Sequence, residues 1–218
     1  MKSHESGEFW FEWIFVNAAG YFAGLLCTYV ILSSVYRIFF PEFFDLPSNV
    51  DILSVPTNFE IFFGAAIIGL LVGFFMGVAQ WLSLRNWISI SSKWILISTV
   101  SWTLGALVQV LFYSFRLDIV FSELSIGLTI GITHWLFFRR IFRHSGWFAL
   151  IWGILGIVGI LGARGVAANG LQAAGLGFSF GGALMGGLIG AITGFFWIYL
   201  LKQSPKNTDS IGQVPTEP

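Results

Sequence analysis

Charge is scarce in this chain. Only 10% of its 218 residues are Asp, Glu, Lys or Arg, against about 25% in an ordinary soluble domain. Hydrophobic residues make up 56% and aromatics 18%, with 24 Phe and 10 Trp. No water-soluble fold keeps that much apolar surface dry, so a soluble globular enzyme is excluded. A disordered chain is excluded for the same reason, since disorder needs polarity. Cysteine occurs once, as Cys27, which excludes a disulfide framework. The 11 basic and 11 acidic residues cancel and leave no general attraction to nucleic acid. Metalloprotease HExxH and redox or zinc CxxC patterns are missing, as are the phosphate-loop GK[ST] and a strand-borne GxGxxG. The composition predicts an integral, multi-pass, non-enzymatic membrane protein whose first partner is the lipid bilayer.

A helix needs roughly 20 mostly apolar residues to cross a bilayer. The sequence predicts six such spans, at about 12–37, 59–84, 94–115, 119–138, 147–163 and 180–201. The runs are continuous, whereas a membrane barrel would show alternating segments of about ten residues. Ser122, Glu123 and Ser125 weaken the start of the fourth, and the fifth is short. The N-terminal stretch is acidic (Glu5, Glu8, Glu12) rather than basic, so the first span reads as a retained anchor and not a signal peptide. Together residues 1–202 form the membrane domain, and the polar 203–218 is expected to be a disordered cytoplasmic tail. The glycine-rich 164–180 is a candidate re-entrant segment.

Basic residues in short loops orient such a chain. With six spans, one side carries Lys2, Arg85, Lys93, Arg139, Arg140, Arg143, Lys202 and Lys206, and the other only Arg37, Arg116 and Arg164. Both termini are therefore expected in the cytoplasm, in the plasma membrane or an internal, thylakoid-like one.

Three of the spans align without gaps. GLLVGFFMGVAQWLSLR ends at Arg85, GLTIGITHWLFFR at Arg139 and GAITGFFWIYLLK at Lys202. Gly73, Gly127 and Gly190 correspond, as do Gly77, Gly131 and Gly194. Gly69 and Gly186 extend the same rows one turn earlier. Glycines four apart let helix backbones approach closely. The preceding helices open on Trp13, Trp94 and Trp147. The pattern predicts an all-α six-helix bundle of three parallel two-helix repeats about a pseudo-threefold axis. Trp13, Trp81, Trp94, Trp135 and Trp147, with Arg85, Arg139 and Lys202, are the expected interfacial anchors.

Polar residues at membrane depth usually face protein. Gln80 follows Gly73 by seven residues and Gly77 by three, which puts it on the glycine row. His134 holds the equivalent place in the second copy and Trp197 in the third. Asn17 and Ser98 both lie four residues after a tryptophan. Gln109 and Glu123 complete the buried polar candidates.

The segments GVAQWLSLR and GITHWLFFR resemble the repeats of a loosely defined group of multi-spanning membrane proteins, frequent in cyanobacteria, with GxxxGxxQWLxLR followed by a tryptophan-led helix. The resemblance covers about 60–165. The fourth span departs from the pattern with His134 in place of Gln, and the sixth lacks the Gln-Trp pair. It implies membrane location and repetition and carries no activity.

The expected function is a helix bundle that packs with, or assists assembly of, other membrane components. Two alternatives stand beside it. One is a small transporter or channel. The other is a pigment- or haem-binding protein using His134 and Gln80, because neutral imidazole is a common metal ligand.

Overall fold

The computed structural model describes residues 3–39, 58–88, 90–115, 119–139, 150–151, 154–155 and 175–203. They form an all-α bundle of five helices: α1 (Ser3–Phe39), α2 (Asn58–Leu84), α3 (Lys93–Ser114), α4 (Ile119–Phe138) and α5 (Gly175–Gln203). Long uninterrupted apolar runs fold this way because a helix satisfies its backbone N–H and C=O groups within itself, without water. Four of the helices contain a stretch long and apolar enough to cross a membrane: His4–Val35, Ile61–Leu84, Lys93–Phe112 and Gly181–Lys202. These support an integral, multi-pass location.

The helices pack as a series. α5 lies on α1, α1 on α2, α2 on α3 and α3 on α4. Successive close contacts show how. A Cβ added at Gly24 would fall 2.6 Å from Val72 Cα, and one at Gly20 would fall 3.0 Å from Met76 Cα. α1 and α2 therefore run backbone to backbone and antiparallel. A tight connection turns α2 into α3. Trp87 and Ile88 donate their N–H groups to Leu84 O at 2.9 and 2.8 Å, closing α2. Trp94 and Ile95 donate to the carbonyls of Ser91 and Ser92, both at 3.0 Å, opening α3.

The structure corrects the six-helix, threefold expectation. Five helices are present among the described residues, and their surroundings are not equivalent. α1 has 37 residues and touches both α2 and α5, whereas α3 has 22. The three positions aligned in the sequence make three different kinds of contact. Gln80 donates a hydrogen bond to α1, His134 stacks on an indole of α3, and Trp197 meets two indoles edge-on. Shared spacing in sequence places residues at the same depth, but the neighbours decide the interaction. The fifth expected span, 147–163, lies outside the described residues apart from 150–151 and 154–155. Most of 164–180 and all of 204–218 lie outside them too.

Two helices extend beyond the apolar spans expected for them. α1 begins at Ser3 instead of near residue 12. The acidic start is helical because it carries core residues: Phe9 is fully buried, and Trp10 Nε1 donates to Ala191 O at 2.9 Å. Glu5 in the first turn also suits the positive end of the helix dipole. α5 begins at Gly175, so the last residues of the candidate re-entrant segment are helical. Within α4 the apolar stretch among the described residues is Leu124–Phe137.

Candidate functional site

Five buried polar side chains gather in a layer inside the bundle, towards the end where α1 begins and α2 ends. Asn17, Gln80, Ser98, His134 and Thr193 are all buried there or one turn away. Large rings fill the space between them. Trp13, Trp94 and Trp197 are each no more than 2% exposed.

Asn17 is the hub on the α1 side. Its Nδ2 donates to the carbonyl of Trp13, one turn earlier, at 2.7 Å. Its Oδ1 accepts from Gln80 Nε2 at 2.9 Å. This bond joins α1 to α2 at the same depth as the close backbone packing. A buried amide pair of this sort fixes the sliding register of two helices, because any shift leaves polar atoms unpaired in a medium that cannot solvate them. Trp13 makes the link to α5: its Nε1 donates to Thr193 Oγ1 at 2.9 Å, and Thr193 in turn donates to Ile189 O at 2.7 Å.

The rings continue the layer across the bundle. Trp13 and Trp197 meet edge to face with centroids 5.6 Å apart. Trp197 reaches Trp94 at 6.4 Å, nearly perpendicular. His134 lies flat on Trp94, with centroids 4.7 Å apart and planes at 21°. The aromatic chain therefore joins α1, α5, α3 and α4.

Gly69, Gly73 and Gly77 line α2 where it meets α3. A Cβ at these positions would fall 2.6 Å from Thr103 Cα, 2.8 Å from Thr99 Cα and 2.9 Å from Ser98 Cβ respectively. Gly186, Gly190 and Gly194 line α5 where it meets α1, against Asn17, Ile14 and Trp10. Gly127 and Gly131 are buried in α4.

The tryptophans expected as anchors divide into two sets. Trp13 and Trp94 lie in the bundle interior, held by the hydrogen bond and ring contacts above. Trp81 and Trp135 are half-buried, with the guanidinium carbons of Arg85 and Arg139 over their rings at 4.9 and 5.9 Å. Lys202 is exposed near the end of α5. Gln109 is half-buried in α3. Trp147 and the Glu123 side chain lie outside the described residues.

Gln80 and His134 were paired above as possible ligands. Gln80 turns its amide nitrogen to Asn17, and His134 covers one ring face with Trp94. Among the described residues no group of three or more His, Cys, Asp or Glu side chains is placed to hold a metal ion. The pentapeptide 177–181 spells GxSxG, the pattern of a serine nucleophile elbow. It lies within α5, whereas an elbow needs a sharp turn from strand to helix.

Two contacts had no signal in the sequence. Thr193 is bonded to a residue 180 positions away. Trp87, in the α2–α3 connection, donates from Nε1 to Glu12 Oε2 at 3.1 Å and meets Phe9 edge-on at 5.4 Å.

The Asn17–Gln80 bond leads to a direct test. Asn17→Leu, Gln80→Leu and the double variant form a thermodynamic cycle. The coupling energy is expected at about 0.6–1.7 kcal/mol, the range for interhelical hydrogen bonds in membranes. It is measured by unfolding in mixed detergent micelles, and a coupling of zero means that the amide pair does not hold α1 to α2.

No family model matches this chain, and neither a curated protein nor a solved structure matches it.

Proposed function

We propose that this chain is a non-enzymatic helix bundle that packs with, or assists the assembly of, other components of its membrane. One observation carries the reading. Two buried hydrogen bonds, Trp13 to Thr193 and Gln80 to Asn17, join helices to one another, and the space around them is filled by the indoles of Trp13, Trp94 and Trp197. A transport path needs polar groups facing a route for solute, and among the described residues large rings occupy this layer. The outer faces of the same helices are apolar, with Phe11, Phe15, Leu70, Phe74, Leu96 and Phe195 exposed, which suits contact with lipid and with other membrane helices.

The test is migration of the full chain in mild detergent after extraction from its native membrane. Co-migration with a larger complex is expected. A strictly monomeric band with no co-purifying component overturns the reading, as does measurable flux of ions or small solutes through liposomes carrying the purified chain.

The orientation belongs to the same reading. Arg85, Lys93, Arg139 and Lys202 sit at the ends of four helices that share one side of the bundle, and that side is assigned to the cytoplasm. A reporter fused after Pro218 is expected to read cytoplasmic, and one inserted near Asn49 external. Both reporting the same side would remove one crossing from the topology.

A further inference from the structure

The packing brings one end of every described helix to a common rim. α2 ends at Leu84 and α3 begins at Lys93, joined by a short turn. α4 returns beside α3 and ends at Phe138, followed by Arg139. α1 starts on this side, because Asn17 meets Gln80 and Glu12 meets Trp87. α5 ends on it, because Gly194 packs on Trp10.

Acidic and basic residues on this rim are used differently. The acids of the first turns of α1 are engaged locally: Glu12 accepts from Trp87, and Glu8 lies 3.3 Å from His4 Nδ1. Arg85, Lys93 and Arg139 are exposed, and among the described residues none of them pairs with a carboxylate. They stand at the rim ends of α2, α3 and α4, which pack in that order, and so follow one another along the rim as an arc. At each end of the arc an arginine rests over an indole one turn earlier in its own helix, Arg85 over Trp81 and Arg139 over Trp135. Stacking on an aromatic face restrains a guanidinium and leaves its in-plane N–H donors available for a bidentate oxyanion. Tryptophan itself favours the headgroup level.

We infer that the arc Arg85–Lys93–Arg139 is a binding site for the phosphodiester headgroups of anionic phospholipids, with the two Arg–Trp pairs as its clamps. A basic residue near an anionic membrane surface contributes about fivefold in association, falling with ionic strength. The stacked arginines add geometry to that charge. Lysine at the same places keeps the charge and loses the planar fork.

The experiment uses the full chain in nanodiscs of phosphatidylcholine with 30% phosphatidylglycerol, against phosphatidylcholine alone. Lipid retained on the protein is counted by native mass spectrometry after gentle release from the disc. Preferential retention of phosphatidylglycerol is expected. In Arg85→Gln/Arg139→Gln it should fall at least fivefold, with the helical circular dichroism unchanged. In Arg85→Lys/Arg139→Lys it should fall to an intermediate level. Equal retention of the two lipids by the unaltered chain overturns the proposal, and so does a glutamine variant that retains phosphatidylglycerol as before. If lysine restores full retention, the site is charge alone and the clamps are refuted. Purified protein and defined lipid suffice, so the outcome is independent of whether the chain assembles with other membrane proteins.

Discussion

Trp13→Ala is expected to be the most damaging single substitution in the bundle. The side chain is 1% exposed. It stacks on Phe9 at 5.7 Å, meets Trp197 edge-on and donates to Thr193. Removing a buried indole costs about 3–5 kcal/mol, because the surrounding rings close the cavity only in part. The loss should appear as a large drop in the midpoint of thermal unfolding in detergent, with separation of α1 from α5 reported by loss of a cysteine crosslink engineered across them. Trp13→Phe keeps most of the ring volume and loses the N–H donor, so its cost should be near that of one interhelical hydrogen bond, about 0.6 kcal/mol. Thr193→Val should match it, and combining the two should add little. An unchanged midpoint in Trp13→Ala would show that α1 is held to α5 by other means.

Gly77→Leu comes second. At this position even a Cβ would sit 2.9 Å from Ser98 Cβ and 3.0 Å from Ile95 Cα. A leucine therefore forces α2 and α3 apart, at about 1–3 kcal/mol for overpacking. Gly77→Ala adds only the Cβ, which still forces Ser98 and the α3 backbone to give way, so it should cost less than leucine without being neutral. Gly64 is an internal control on the same helix: a Cβ there would meet nothing within 4 Å, so Gly64→Leu should leave the unfolding midpoint near that of the unaltered chain. Equal effects at 64 and 77 would mean that helix propensity, and not close approach, sets the cost.

The helices were legible because a long apolar run has one stable backbone solution in lipid. That Asn17, Gln80, Ser98 and His134 are buried within the bundle agrees with their apolar sequence surroundings. Counting from Gly73 and Gly77 puts Gln80 on the glycine row, but the glycines pack on α3 while Gln80 bonds Asn17 of α1. The identity of the partners was not legible. Nothing local tells Gln80 to find Asn17 or Trp13 to find Thr193, because those choices depend on which helices become neighbours. Trp13 and Trp94 show the limit most clearly. Tryptophan favours the membrane interface in general, but here a hydrogen bond to Thr193 and ring contacts hold Trp13 inside the bundle, and ring contacts hold Trp94 there. The helical start of α1 was hidden by Glu5 and Glu8, which read as a polar tail until Phe9 and Trp10 are seen docked. The six-helix threefold arrangement failed because aligned glycines report spacing along a helix and say nothing of what lies across from it.

The docking of α5 on α1 bears on how the chain is made. Synthesis delivers α1 first and α5 last, and the contacts of α2 with α3 and of α3 with α4 join segments that leave the ribosome close together. Those local hairpins can form as soon as each pair is in the membrane. The seam of Gly186, Gly190 and Gly194 must wait for the whole chain, since the bond it protects spans 180 residues. Until then Asn17, Trp13 and Thr193 face lipid or whatever membrane protein stands nearby. Contacts so distant in sequence form slowly, and the interval before they close is when a growing chain is most exposed to wrong partners. The last helix is thus the step that commits the bundle, and truncation before Gly175 should leave α1 the first segment to be cleared by membrane quality control.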